Sequence, residues 1–264
     1  MSLGGILLLN ITVVLTLMTA LWAVSVALRD TSIVDIFWGA GFVVIAWVTF
    51  AASGGGADRR LLLAALTTVW GVRLALHLAR RNLGHGEDAR YGAMRARHGE
   101  RWPRRSLWAV FWAQGLLMWI VALPVQAGQA DATPADLIWL GALGAAIWCV
   151  GFCFEAVGDW QLARFKADPA SRGQVMDRGL WRYTRHPNYF GDCTVWWGLF
   201  VIAASTGSAW WTVVGPIVMT VLLVRVSGAG LLERTIGDRR PGYAEYIRRT
   251  SAFIPRRPRP LSNH

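Results

Sequence analysis

MSLGGILLLNITVVLTLMTALWAVSVALRD, residues 1–30, is an apolar stretch whose only charged residues are the pair Arg29-Asp30 at its end. A helix needs about twenty apolar residues to cross roughly 30 Å of hydrocarbon, and residues 5–28 satisfy that length. No basic region precedes this run, which is also longer than the apolar core of a cleaved signal peptide. We therefore predict an uncleaved first transmembrane helix.

Long apolar runs continue through the rest of the 264 residues, of which 54% are hydrophobic and 16 are Trp. This composition is too apolar for an ordinary soluble domain, and basic blocks that alternate with apolar ones exclude a soluble nucleic-acid-binding protein. The three Cys residues form no CxxC pair, so no metal site is expected. We predict one all-α membrane domain, residues 1–264, with about seven transmembrane helices. The predicted helices cover residues 5–28, 32–53, 61–79, 106–126, 135–158, 189–205 and 209–230.

Basic residues are concentrated in three segments that lie between or after the predicted helices. Residues 80–105, 159–187 and 231–264 hold 22 of the 27 Lys and Arg residues of a chain whose net charge is +11. Because Lys and Arg next to transmembrane helices are retained in the cytoplasm, we predict an amino terminus outside and a cytoplasmic carboxyl terminus. This orientation suits a multi-pass protein of the bacterial inner membrane.

Several ionisable residues lie inside or at the ends of the predicted transmembrane helices. Such residues are costly in a bilayer, so they usually face the interior of the bundle and form a site or a buried pair. Interhelical ion pairs and a polar cavity are both open interpretations, since residues four apart share one helix face. The residues are Asp35, Arg73, His77, Glu155, Asp159, Asp192 and Arg225.

The segment RYTRHPNYFGD, residues 182–192, is unusually polar for the entrance of a membrane helix. Arginines bind phosphate through paired hydrogen bonds, and carboxylates accept hydrogen bonds from ribose hydroxyls. The chain has neither a GxGxxG nor a Walker pattern, so a Rossmann or P-loop site is not expected. A nucleotide would have to be held by the membrane bundle itself.

Three stretches carry a family resemblance: GLWRYTRHPNYFGD at 179–192, DWQLARFK at 159–166 and ERTIGDRRPGYAEYIRRTSAFIP at 233–255. Through them the chain resembles the membrane reductases typified by steroid 5-alpha reductases and sterol delta-14 reductases, and a bacterial branch of that superfamily. The resemblance covers roughly residues 150–258, and the first four predicted helices match only loosely.

In those reductases the matching half binds NADPH, so the resemblance implies that residues 135–258 form a cofactor half and residues 1–130 the substrate side. It implies that Glu155 and Asp159 face the ribose region and that Lys166 lies near a phosphate. The remaining implied cofactor residues are Tyr183, Arg185, His186, Asn188 and Asp192, with Arg225, Glu233, Arg234, Tyr243 and Tyr246 closing the site.

Steroid 5-alpha reductases resemble one another in a Gln-Glu pair and a Tyr that polarise the substrate ketone. At the corresponding places this chain reads Val34-Asp35 and Trp70. A carboxyl group in an apolar setting can stay protonated and donate to a carbonyl. We therefore predict Asp35 as the catalytic acid, assisted by His77 or by Tyr91.

The leading hypothesis is an NADPH-dependent reductase of a carbon-carbon double bond in an apolar, membrane-dissolved steroid, sterol or prenyl-type lipid. Isoprenylcysteine carboxyl methyltransferases, which use S-adenosylmethionine, look similar over the same RHPxYxG run and are the alternative. A third possibility is a non-enzymatic lipid-binding or transport protein. The oligomeric state is left open, and the terminal PRRPRP is expected to be a flexible basic tail.

Overall fold

The computed structural model describes residues 1–132, 138–226 and 242–260. The chain divides into two compact units, one made of Met1–Gly141 with Ile202–Gly215 and the other of Ala142–Val201 with Pro216–His264. Both units are helical, and among the described residues the β pairing is an isolated bridge between Thr184 and Ser251. The predicted all-α class is confirmed.

The first unit begins with three long helices and continues with a series of shorter ones. Residues 202–215 add the end of a later helix and the 3₁₀ turn Trp210–Val213. Its helices are α1 Leu3–Leu28, α2 Ile33–Ala52, α3 Ala57–Asn82, α4 Ala89–His98, α5 Trp102–Ser106, α6 Ala113–Val121 and α7 Leu123–Ala130, with a π-helical turn at Leu107–Trp112.

Helices α2 and α3 touch backbone to backbone because glycines stand at the point of contact. A Cβ atom at Gly39 would lie 2.1 Å from the Gly71 carbonyl oxygen and 2.8 Å from the Ala75 nitrogen. A Cβ atom at Gly71 would in turn lie 2.5 Å from the Gly39 oxygen. Small residues at helix contacts allow this approach in membrane bundles. Asp35, one turn before Gly39, is thereby held against the rest of the bundle.

The second unit is built on α8, Ile138–Ala167, and most of α9, Pro187–Ala204. A Cβ atom at Gly191 would lie 2.4 Å from the Glu155 nitrogen, and one at Gly198 would lie 2.6 Å from the Trp148 nitrogen. The two helices therefore run antiparallel in close contact. Helix α8 continues about two and a half turns past the predicted membrane end at 158, because a helix can extend into water beyond the bilayer.

The rest of the second unit lies at the carboxyl-terminal end of the chain. It contains residues 216–221 of α10, a helix that spans Val214–Val221, and a π-helical turn at Leu222–Val226. It also contains α11, Tyr243–Arg249. After α11 the chain runs beside residues 183–185: the Arg185 nitrogen donates to the Ser251 oxygen at 2.9 Å, and the Arg256 nitrogen donates to the Tyr183 oxygen at 3.0 Å. Part of the PRRPRP tail is thus paired with residue 183 through its backbone, and its flexibility stays a prediction.

Four helices of the described residues are long and apolar enough to cross a membrane, namely α1, α2, α3 and Trp139–Ala167 of α8. A fifth is added if Ala89–Val121 and Leu123–Ala130, which meet at a bend of 46°, form one span. Between 17% and 39% of the residues in the most apolar part of each of these four helices are buried, so most of those residues are at least partly exposed, as lipid-facing residues are. Several helices therefore suit a membrane protein. The count of seven, the orientation and the bacterial inner membrane stay predictions.

Candidate functional site

A phenol and a carboxylate meet inside the first unit. The Tyr91 hydroxyl donates to Asp35 Oδ1 at 2.8 Å. Tyr91 lies on α4 and is 7% exposed, while the Asp35 side chain, in the first turn of α2, is 17% exposed. Two of the three residues predicted to be catalytic are thus brought together.

The Tyr91 hydroxyl has a second polar neighbour from α6. Gln114 Nε2 donates to the Tyr91 oxygen at 3.1 Å, and Trp38 Nε1 of α2 donates to Gln114 Oε1 at 2.5 Å. The result is a hydrogen-bonded chain that runs from Trp38 through Gln114 and Tyr91 to Asp35. Because Gln114 donates to the phenol oxygen, it stabilises negative charge on that oxygen.

Arg90 supplies positive charge beside the same pair. Its Nη2 lies 3.1 Å from Asp35 Oδ2, and its Nε donates to Asp88 Oδ1 at 2.9 Å. Its Cζ atom is 5.6 Å from the centroid of the Tyr91 ring. The pKa of Asp88 is held below its ordinary value, chiefly by the hydrogen bond from Arg90. Arg90 therefore joins two carboxylates and a phenol.

A second ion pair fixes the segment that precedes α4. Arg95 donates from Nε to Glu87 Oε2 at 2.9 Å and from Nη2 to Glu87 Oε1 at 2.8 Å. Glu87 Oε1 also accepts the backbone N–H of Thr31, at 2.8 Å, just before α2. Paired hydrogen bonds of this kind are the strong class of side-chain contact. They hold the start of α4 against the start of α2, which positions Tyr91 on Asp35.

Acid is expected to weaken the ion pair of Glu87 with Arg95. The hydrogen bond from Arg95 holds the pKa of Glu87 below its ordinary value of 4.5. A lowered pKa stabilises the folded state at pH values above the ordinary value, and the stabilisation is lost as the pH falls through the pKa of the folded state. We expect Glu87→Gln to lower the melting temperature at neutral pH. In acid, the melting temperatures of the variant and the wild type should become equal. Thermal unfolding across pH measures this, with exposed Glu100→Gln as the control; an equal gap at every pH would contradict it.

His77, the third residue predicted to be catalytic, lies half-buried on α3. Because α2 and α3 run antiparallel through the Gly39–Gly71 contact, His77 stands near the level of Asp35. It is six residues beyond Gly71, so its side chain leaves α3 about 120° away from the α2 side. Its catalytic role stays a prediction.

Trp70 does not take the place of a ketone-binding phenol. It is fully buried, and its ring lies 5.5 Å from that of Phe42. The phenol beside Asp35 comes instead from Tyr91, which is separated from Asp35 by a whole helix and a loop.

Sequence reasoning missed Gln114 and Arg90 as members of this cluster. Gln114 carries no charge and so gives a weaker signal than the ionisable residues, although a polar amide in the predicted helix 106–126 also indicates a bundle-facing position. Arg90 was assigned to membrane orientation together with the other basic residues of the 80–105 segment.

The second unit contains a separate cluster of buried charged residues. Asn188 Nδ2 donates to Asp159 Oδ1 at 3.0 Å, and Asp159 is 7% exposed. Glu155, one turn earlier on α8, is 2% exposed and lies where α8 meets Gly191 of α9. Asp192 and His186 are also buried on or next to α9. One region, where α8 contacts the start of α9, therefore contains Glu155, Asp159, His186, Asn188 and Asp192.

Arg185 and Tyr246 hold the carboxyl-terminal tail. Arg185 Nη1 donates to the carbonyl oxygens of Ile247 at 3.1 Å and Thr250 at 2.7 Å, and Tyr246 donates to the Trp181 oxygen at 2.6 Å. Tyr243 is buried with its ring 5.8 Å from that of Tyr246. These contacts make the 182–192 segment and the tail one structure.

The remaining predicted cofactor residues lie at the surface of the second unit or outside the described residues. Lys166 near the end of α8, Tyr183 and Arg225 are exposed. Glu233 and Arg234 fall outside the described residues.

Comparison with known proteins places the chain in a family. The model of the family described as Protein of unknown function (DUF1295) matches residues 21–250. The chain belongs to this family. Within the matched DUF1295 range lie both the Asp35–Tyr91 pair and the Asp159–Asn188 pair. An uncharacterized protein of Schizosaccharomyces pombe, C594.04c, is 25% identical, over 89% of this chain and 76% of the relative. No solved structure matches the chain.

Proposed function

We propose that the chain is an NADPH-dependent reductase of a carbon-carbon double bond conjugated to an oxygen, in an apolar substrate dissolved in the membrane. The observation that carries the proposal is the Tyr91–Asp35 pair, joined by Gln114 and Arg90 within a bundle of apolar helices. Reduction of such a double bond needs a group that donates to the oxygen as negative charge develops there. A buried phenol with these partners is suited to that task.

The chemistry of the pair follows from its hydrogen bonds. The pair is joined by the Tyr91 hydroxyl donating to Asp35. When Asp35 takes up a proton, this hydrogen bond reverses: the Asp35 hydroxyl donates to the Tyr91 oxygen, and the phenol hydrogen becomes free to donate to a substrate oxygen. If the phenol gives up that proton, the Gln114 amide and the Arg90 cation stabilise the phenolate. The Asp35 proton then passes to Tyr91, and the Asp35 carboxylate regains a proton from water before the next turnover. General acid catalysis of this type contributes about 10²–10⁴-fold to a rate.

The setting of the pair favours an apolar substrate. Asp35, Trp38 and Phe42 are three and four residues apart on α2 and share one helix face. The rings of Trp38 and Phe42 lie 5.7 Å apart. Phe42 is fully buried, so the half-buried Trp38 ring is the aromatic surface next to the pair. A polar donor beside an aromatic ring suits a molecule that carries one oxygen at the end of an apolar body, as steroids, sterols and prenyl-type lipids do.

The second unit offers a donor set that fits NADPH. Buried carboxylates at Glu155 and Asp159 and the amide of Asn188 suit ribose hydroxyls and a nicotinamide, and exposed arginines of this unit suit phosphates. NADPH, when bound, supplies the hydride. The stretch 179–192 supports placing the chain beside the steroid 5-alpha reductases and sterol delta-14 reductases, and S-adenosylmethionine is the alternative ligand that the test includes.

Cofactor binding provides the test. We expect NADPH to raise the melting temperature of the purified protein, and Asp159→Asn or Asn188→Ala to weaken NADPH binding by about 10- to 100-fold, as expected for a hydrogen bond to a charged group. Asp168→Asn, an exposed carboxylate of the same unit, is the matched control. Arg185→Ala is a poor test because it also releases the tail.

Two results would count against the reductase. One is that NADPH neither raises the melting temperature of the folded wild-type protein nor changes its fluorescence. The other is stabilisation by S-adenosylmethionine alone, which would favour the methyltransferase.

A further inference from the structure

A cavity of about 270 Å³ opens between α11 and the carboxyl-terminal tail. Five of its lining residues are arginines, and we call this feature the arginine cup. Among the described residues that line it, none is acidic. The arginines are Arg248, Arg249, Arg256, Arg257 and Arg259.

Backbone hydrogen bonds give the arginine cup its shape. The Arg259 nitrogen donates to the Arg249 oxygen at 2.9 Å, which folds the tail back onto α11. The Arg256 nitrogen donates to the Tyr183 oxygen at 3.0 Å, and Thr184 Oγ1 donates to the Phe253 oxygen at 2.8 Å. The backbone around the arginine cup is therefore hydrogen-bonded without a ligand, which reduces the conformational entropy that the chain loses on binding.

The charge of the cup favours an anion. Arg249 forms an ion pair with Asp177, Nη2 to Oδ2, at 2.9 Å. The other four arginines line the same cavity, and like charges held close together repel one another. A phosphate relieves that repulsion and accepts the paired hydrogen bonds that guanidinium groups form.

One exposed isoleucine in the lining of the cup and another on the same tail bear on the source of the phosphate. Ile247, which lines the cavity, is 37% exposed, and Ile254 on the tail is 55% exposed. Free phosphate gains nothing from exposed isoleucines, whereas a phospholipid brings an apolar body with its phosphate. The geometry points to an acidic phospholipid headgroup as the ligand of the arginine cup. Arginine-rich segments next to membrane helices bind acidic lipids in this way.

The experiment compares lipid retention in two triple variants of equal charge. The full-length protein is placed in bilayer discs that contain equal amounts of phosphatidylglycerol and phosphatidylcholine, and retained lipid is read by native mass spectrometry. We expect the wild type to retain phosphatidylglycerol preferentially. Replacing Arg248, Arg257 and Arg259 with Gln should weaken that retention by about a hundredfold. The control replaces the exposed Arg97, Arg101 and Arg104 with Gln and should retain lipid as the wild type does.

Three results would overturn the proposal. One is equal retention of phosphatidylglycerol by the cup variant and the wild type. Another is stabilisation of the protein by inorganic phosphate without preferential retention of phosphatidylglycerol, which would make the cup a site for free phosphate. The last is loss of NADPH binding in the cup variant with lipid retention intact, which would assign the cup to the dinucleotide.

Discussion

Tyr91→Phe is expected to lower the rate of substrate reduction by about 10²–10⁴-fold, the range that one general acid contributes. The substitution removes only the hydroxyl that joins Asp35 and Gln114, and it leaves the ring in its buried position. NADPH affinity should remain unchanged, because the predicted cofactor residues belong to the second unit. The measurement is NADPH oxidation by the purified protein in the presence of a membrane lipid extract, with NADPH binding recorded in parallel.

Asp35→Asn should lower the same rate, and the double variant should be little slower than the slower single variant. Residues that act as one unit are strongly non-additive. Asp58→Asn is the matched control, because Asp58 is also a carboxylate in the first turn of a membrane helix but is exposed. If Tyr91→Phe and Asp35→Asn reduced substrate at the wild-type rate, the proton-donor role of the pair would be wrong.

The second large effect is expected at the contact of α2 with α3. Gly39→Ala would place a methyl group 2.1 Å from the Gly71 carbonyl oxygen, and a backbone atom cannot turn aside as a side chain can. The helices must move apart, which should lower the free energy of unfolding by about 1–3 kcal/mol. We also expect Asp35 to shift relative to Tyr91, so the rate should fall together with the melting temperature.

Gly141→Ala provides the control for this substitution. Gly141 lies on α8 with no atom within 4 Å of the position of an added Cβ, so alanine there should leave stability unchanged or raise it by about 0.5–1 kcal/mol. Thermal unfolding of both variants in the same detergent measures the difference. Equal melting temperatures for Gly39→Ala and Gly141→Ala would contradict the close helix contact.

Much of the fold could be predicted because apolar runs long enough to cross a bilayer are a strong signal. The predicted runs 5–28 and 32–53 agree with α1 and α2 to within a few residues. The backbone contact of Gly39 with Gly71 could not be predicted, because single glycines in apolar helices give no indication of which helix they face. The bend between α6 and α7 was also missed, although Pro124 marks it.

The candidate site was only partly predictable for a related reason. Asp35 was found because a carboxylate in an apolar run is costly, and Tyr91 was named as one of two possible helpers. Tyr91 meets Asp35 because Glu87, held by Arg95, accepts the backbone N–H of Thr31 and so joins the start of α4 to the start of α2. Arg185 was expected to bind a cofactor, but its guanidinium also donates to backbone oxygens of the tail. A sequence pattern cannot separate an arginine that holds the chain from one that holds a ligand.

The transfer of labelled hydrogen from cofactor to lipid tests the proposed reduction most directly. The purified protein would be incubated with a membrane lipid extract and with NADPH that carries deuterium on the transferring face of its C4 carbon. We expect a lipid that gains one deuterium from NADPH and one hydrogen from solvent, and about 10²–10⁴-fold slower formation of this product by Tyr91→Phe. A lipid that gains a methyl group from S-adenosylmethionine, with no deuterium transferred from NADPH labelled on either face, would contradict the proposed function.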